Sequence, residues 1–176
     1  MPIILILTDR TVPGFNSLVD SLSRAFHSRI SARFADLPFT RSFRNSRKQH
    51  DADALLAELS FGLDPGRKTV FIIHEDIFSK PQDFVFGLAK GNAALVSTAR
   101  LDPRFYGKIA AAEMRTAGLL FRERILKEAV HELGHLHGIP HCDDRSCVMA
   151  FSESVDGVDA KGRDFCARCR TMLHLE

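Results

Sequence analysis

His131-Glu132-Leu133-Gly134-His135-Leu136-His137-Gly138-Ile139-Pro140-His141 follows the pattern HExxHxxGxxH, and a metal site follows from its geometry. In a helix of about 3.6 residues per turn, positions four apart share one face, so the imidazoles of His131 and His135 reach a single ion together. Glu132 lies about 100° round the helix from His131, outside the ligand set but within reach of a water on the metal. Gly138 enters the left-handed region without a Cβ penalty, and Pro140 discourages any resumption of the helix. The chain turns back there and offers His141 as a third ligand.

Three imidazoles and one free position describe a catalytic zinc rather than a structural one, because structural sites close all four positions with protein ligands. Zinc lowers the pKa of a water it holds from about 15.7 to about 7. Glu132 is placed to take that proton and return it to a leaving amine, which is the chemistry of peptide-bond hydrolysis. A five-residue HExxH can arise by chance on a surface helix; the glycine and third histidine in register argue against that here. His137 lies about 120° from His131 on the apolar side and reads as a packed histidine of the last turn, not a ligand.

A chain of 176 residues, 45% of them hydrophobic, suits one compact domain with a substantial core. The net charge of +2 gives no reason to invoke nucleic acid or an anionic membrane. The apolar run that opens the chain, Met1 to Arg10, is too short to span a membrane and lacks a basic leader or small-residue cleavage site. The expectation is a monomer in the cytoplasm, where thiols stay reduced and the four cysteines serve as metal ligands before disulfides.

Pro2 to Thr8 is continuously apolar and β-branched, as in a strand covered on both faces. Gly14 to Phe26 carries Phe15, Leu18, Val19, Leu22 and Phe26 at helical spacing, and Ile30 to Ala35 reads as a second, parallel strand of a βαβ unit. The basic stretch from Phe39 to Gln49, with Arg41, Arg44, Arg47 and Lys48, reads as a solvated, mobile loop, and His50 has no partner at metal spacing. Asp53 to Leu63 reads as a short helix and Val70 to Ile73 as a buried strand. The following His74, Glu75 and Asp76 read as a polar loop. Asp83 to Lys90 and Ala93 to Ala99 are strands joined at Gly91-Asn92, the first a sheet edge able to accept an extended peptide. The segment from Arg104 to Thr116 is ambiguous.

From Gly118 a helix is clear. Phe121, Ile125, Leu126, Ala129, Val130, Leu133 and Leu136 fill one half, while Glu123, Arg124, Lys127, Glu128, His131 and His135 fill the other. The polar half points away from the packing face and lines the floor of a cleft, with Glu123 and Lys127 as a surface i,i+4 pair.

Cys142, Cys147, Cys166 and Cys169 form C-x4-C and C-x2-C pairs separated by 18 residues. Four thiolates fill a tetrahedral set, the signature of a structural zinc; unliganded thiols or two disulfides are the alternatives. Met149, read alone, is ordinary core. Taken together, His131 to His141, the four cysteines, Val148 and Met149 strongly resemble the archaemetzincins, a branch of the metzincin zinc peptidases. The resemblance implies His131, His135 and His141 as ligands of a catalytic zinc, Glu132 as general base and acid, and Met149 as the Met-turn residue. It also implies an α/β metzincin-like fold in one metallopeptidase domain. Residues 1–138 would form an upper lobe with a twisted mixed sheet and the active-site helix, and 139–176 a small C-terminal lobe stapled by the second zinc.

Only Tyr106 is a tyrosine, so the phenol that some metzincins carry just after the Met-turn is missing. The function implied is a zinc-dependent peptidase acting on peptide or protein substrates, aminopeptidase-like in some relatives. Its competitor is a zinc-stabilised module that uses the basic Arg41 to Lys48 segment and the cysteines to bind nucleic acid or protein without hydrolysis. Glu132 discriminates the two, since a binding module has no use for a carboxylate beside the first histidine.

Overall fold

The computed structural model describes residues 3–7, 12, 14–37, 39 and 41–174. A five-stranded sheet carries the molecule, built from β1 (Ile3–Leu7), β2 (Ile30–Phe34), β5 (Lys68–Ile73), β8 (Ala93–Ser97) and β7 (Gly87–Lys90). The order is β2-β1-β5-β8-β7; the first four are parallel and β7 runs antiparallel to β8 at the edge. Pro2 and Thr8, the ends of the expected first strand, lie outside the described residues.

The run Val70-Phe71-Ile72-Ile73 shows why both faces must be covered. Val70 and Ile72 enter one core, Phe71 and Ile73 the other, because successive side chains of a strand point to opposite faces. The first core is closed by α1 (Phe15–Ala25) and α3 (Met114–Leu136), through Leu18, Leu22, Phe121, Ile125 and Ala129. The second is closed by α2 (Ala52–Ser60) through Ala52, Leu55 and Leu56. Asp51 caps α2 by accepting the Ala54 N–H at 3.1 Å.

Three expectations change. The basic stretch is not a mobile loop: β3 (Phe43–Arg44) and β4 (Gln49–Asp51) form a hairpin, and β4 pairs in parallel with β6 (Ile77–Phe78). Arg47 donates to the Asp83 carboxylate at 2.8 Å and lies over the Phe78 ring, so its charge is used inside the protein. The edge strand is shorter than expected, since Asp83–Phe86 stays irregular. The Asp83 carbonyl is taken by the Arg47 and Gln49 side chains instead of a strand ladder.

The third change concerns α3: Glu128, His131 and His135 of its polar half line a cleft as expected, but Arg124 and Lys127 are buried. Arg124 makes a two-bonded pair with Asp159 at 2.7 and 2.6 Å, and Lys127 donates to the carbonyls of Val158 and Asp159 at 3.0 Å each. These partners belong to α4 (Val155–Ala160), so the C-terminal segment closes over the face expected to meet solvent. Lys127 thus aims at backbone carbonyls, not at Glu123. The helix also begins at Met114, four residues before its apolar periodicity becomes legible. A last helix, α5 (Ala167–Met172), directly follows Cys166, its N-cap residue.

Candidate active site

Helix α3 ends as the glycine requires. Gly138 adopts φ 84, and the N–H groups of Gly138 and Ile139 donate to the carbonyls of His135 and Gly134. The chain reverses and brings His141 beside the two helical histidines. Ring centroids lie 4.6 Å apart for His131 and His135, 4.8 Å for His135 and His141, and 5.2 Å for His131 and His141.

Backbone carbonyls orient two of these rings. The Nδ1–H of His131 donates to the Val148 carbonyl at 2.8 Å, and that of His135 donates to the Ile139 carbonyl at 2.7 Å. With Nδ1 occupied, the lone pairs are on Nε2, and the two Nε2 atoms face each other at 3.0 Å. Two neutral acceptors at that distance repel unless a cation lies between them, so the donor set fits a metal. Burial holds all three imidazoles below their ordinary pKa, and for His131 the Lys161 ammonium adds to it. Neutral rings are what a metal needs.

Glu132 is 4% exposed, and its Oε2 is buried without a hydrogen-bond partner. Burial pushes its carboxyl well above the usual range, Glu128 pushes it further and Lys161 opposes both. A Cβ at Gly87 would lie 2.4 Å from Glu132 Oε1, so the glycine that opens β7 is what admits this carboxylate. All three histidines and Glu132 line one cleft of about 830 Å³, whose opposite wall is the β7 edge with Phe84, Val85, Leu88 and Ala89.

The four cysteines also converge. Cys142 and Cys166 have their sulfurs 3.8 Å apart, as do Cys147 and Cys169, and all four Sγ atoms lie within 4.8 Å of one another. Disulfide sulfurs sit about 2.0 Å apart, so these are free thiols. Around a tetrahedral zinc with bonds near 2.3 Å, sulfurs are separated by about 3.8 Å, and the cluster fits that ion. Met149 is fully buried on the turn between them; its carbonyl accepts the Cys142 N–H at 2.9 Å.

Of the remaining histidines, His137 bonds the Leu133 carbonyl and stacks on Phe26, apart from the cluster. His50 is buried against Ser42, and His74 meets Thr98 while Asp76 pairs with Arg100. Among the described residues only the histidine and cysteine groups converge at metal distances. Sequence reasoning missed four residues here. Gly87 and Gly134 make room, the latter because a Cβ there would lie 2.4 Å from the Met149 sulfur. Glu128 and Lys161 form a buried ion pair at 2.8 Å in the cleft. Glu128 was findable, standing three residues before His131 on the ligand face; Lys161 carried no signal.

An HExxHxxGxxH helix under a substrate-sized cleft, with a buried methionine turn below, is the arrangement of a metzincin-type metallopeptidase. The model of peptidase family M54 matches residues 41–175, and the chain belongs to that family. An archaemetzincin of Sulfolobus acidocaldarius is 41% identical over 135 residues, 76% of this chain and 73% of that protein. One of Methanopyrus kandleri is 34% identical across 98% of this chain and 95% of its own. The crystal structure of a zinc-dependent peptidase from Methanocorpusculum labreanum superposes with a TM-score of 0.85 at 29% identity, covering 97% of this chain and 99% of that one. The archaemetzincin structure from Archaeoglobus fulgidus, complexed with malonate, gives 0.77 at 32% identity, covering 98% and 99%. The chain is thus a zinc metallopeptidase of the archaemetzincin kind, with a metzincin-like α/β fold.

Proposed function

We propose that the cleft hydrolyses peptide bonds, with His131, His135 and His141 holding a catalytic zinc and Glu132 moving the proton. The observation that carries this reading is the convergence of three neutral imidazoles beside a buried, unpartnered carboxylate on the wall of one cleft. Zinc bound there supplies Lewis acidity, polarising the scissile carbonyl and making water acidic enough to attack near neutral pH. The chain's own groups do the rest. A peptide lies along the outer edge of β7, its backbone extending the sheet, and its scissile carbonyl comes over the histidines. Glu132 accepts the proton of the attacking water and delivers it to the departing amine. The Val148 and Ile139 carbonyls keep the rings of His131 and His135 from turning.

The proposal extends to a second, structural zinc held by Cys142, Cys147, Cys166 and Cys169, giving two ions per chain. Residues 1–138 then form the upper lobe and 139–176 the lower. Reduced thiols favour a reducing compartment such as the cytoplasm, and no described helix is long and apolar enough to cross a membrane. The competing reading, a binding module using the basic stretch, loses support where Arg44 and Arg47 are paired with Asp51 and Asp83.

The test is cleavage of a diverse peptide library by zinc-loaded protein beside its Glu132→Ala variant, read by mass spectrometry. Products from the first and none from the second are expected; equal products from both would overturn the mechanism. Free against acetylated amino termini in the same library distinguishes aminopeptidase-like action, the finer form of this reading, from internal cleavage.

A further inference from the structure

Glu128 is a carboxylate where an active metal site should not want one. It stands three residues before His131 and seven before His135, so helical spacing sets all three on one face. It is 3% exposed, lines the same cleft as the histidines, and its Oε1 makes no hydrogen bond of good geometry. What holds it is charge. The Lys161 ammonium, itself 3% exposed, lies 2.8 Å from Glu128 Oε1. The same nitrogen donates to the Ala150 carbonyl at 3.3 Å and lies 3.3 Å from His131 Nδ1. A single atom therefore joins the unused carboxylate, the methionine turn and the first histidine. Because His131 already gives its Nδ1 proton to Val148, Lys161 stands beside that ring as a neighbouring charge.

Zinc sites with four protein ligands are closed and structural, while catalytic ones keep a position free. Glu128, on the ligand face one helical turn before His131, lines the same cleft yet stands outside the group of ligand atoms that converge within 4.8 Å. We propose that Lys161 is a positioning residue that binds Glu128 away from the metal and so keeps one coordination position free for the reaction. This rests on the reading that the three histidines hold zinc. It assigns the buried ion pair a purpose beyond stability, which such pairs supply poorly after desolvation is counted.

The test compares zinc-loaded wild type with Lys161→Met, Lys161→Arg and the double variant Glu128→Gln/Lys161→Met. Zinc affinity is read by chelator competition, with His141→Ala marking the histidine-held fraction, and kcat and KM are read on a peptide found in the library. Freed by Lys161→Met, Glu128 joins the metal, so zinc is held more tightly while kcat falls about tenfold, the lower end of the loss usual when residues that support metal ligands are changed. KM stays near wild type. Lys161→Arg keeps the charge and the wild-type behaviour. The double variant returns both affinity and kcat to within about threefold of wild type, since a neutral carboxamide binds zinc weakly. Lys161→Gln, which retains a donor for Ala150 but no charge, is carried through the same measurements in case the methionine variant does not fold.

Zinc held no more tightly in the charge-free variants would overturn the proposal, as would a double variant no better than Lys161→Met, the mark of a merely structural pair. A rise in KM with kcat intact would also overturn it, assigning the pair to substrate binding. Equal zinc content in wild type and His141→Ala would instead defeat the histidine-site reading itself.

Discussion

Replacing Gly134 with alanine sets two effects of opposite sign against each other. In a helix interior the substitution ordinarily stabilises by roughly 1 kcal/mol, because glycine loses the most backbone freedom on folding. Here the new methyl would lie 2.4 Å from the Met149 sulfur, 3.0 Å from its terminal carbon and 3.3 Å from Phe165 Cε1. Contacts between such atoms normally lie near 3.5–4.0 Å, and forcing a methyl into a filled core costs about 1–3 kcal/mol. The expected net change is a loss of up to about 2 kcal/mol, with Met149 displaced from its place against Gly134. A double-mutant cycle isolates the cause. With Met149→Ala only the Phe165 contact at 3.3 Å remains, and Gly134→Ala should then stabilise by up to about its intrinsic 1 kcal/mol. The assay is urea unfolding of fully zinc-loaded proteins at fixed free zinc, since metal bound to the native state shifts apparent stability. If Gly134→Ala stabilises equally in both backgrounds, the close approach of helix and methionine turn is not real.

Glu132→Ala should keep its zinc, as no ligand is touched, yet lose at least about 10²-fold in hydrolysis, whereas His135→Ala should lose both; metal analysis beside peptide cleavage checks this. Cys166→Ala leaves three thiolates of a closed set and should lower the melting temperature clearly at equal zinc supply; an unchanged value would mean the cluster is not structural. Met149→Leu nearly conserves volume and should cost less than about 1.5 kcal/mol, measured by urea unfolding. Lys90 and Ser79 hold the Asp53 carboxyl below its ordinary range. A carboxyl depressed on folding adds stability above its unfolded pKa of about 3.9 that is lost as pH falls, so Asp53→Asn should destabilise at pH 7 and progressively less below pH ~4 in acid-unfolding curves.

The parts of the fold legible in the sequence are those whose burial is written locally. Val70 to Ile73 read as a central strand because four consecutive apolar residues must be covered on both sides, and α1 read as a helix because Leu18 and Leu22 repeat at its period. The hairpin β3–β4 and its partner β6 did not, since strands of two or three residues are too short to show alternation. The first turn of α3 escaped for a related reason: Met114 to Thr116 are exposed and leave no apolar stripe. Arg124 and Lys127 were misjudged because they find their partners more than 30 residues later, where no local pattern reports a buried charge.

The candidate site divides along the same line, and the division explains how it is built. His131, Glu132 and His135 were legible because four residues of helix fix their geometry, and His141 because Gly138 and Pro140 fix the turn. Lys161 and the contact of Met149 with Gly134 were not, and both lie on the segment from Val148 to Phe165. The cysteines bracket that segment: Cys142 and Cys147 stand before it, Cys166 and Cys169 after it, and their sulfurs meet in one cluster. Between the two pairs the Val148 N–H donates to the Asp164 carbonyl and the Gly162 N–H to the Ser146 carbonyl, so the segment is a closed loop. That loop presents Val148 to His131, Met149 to Gly134, Asp159 to Arg124 and Lys161 to Glu128. Each of the four meets the helix that carries His131 and His135, two of the three converging histidines. The thiol cluster therefore holds both ends of the segment that supplies these four contacts to α3.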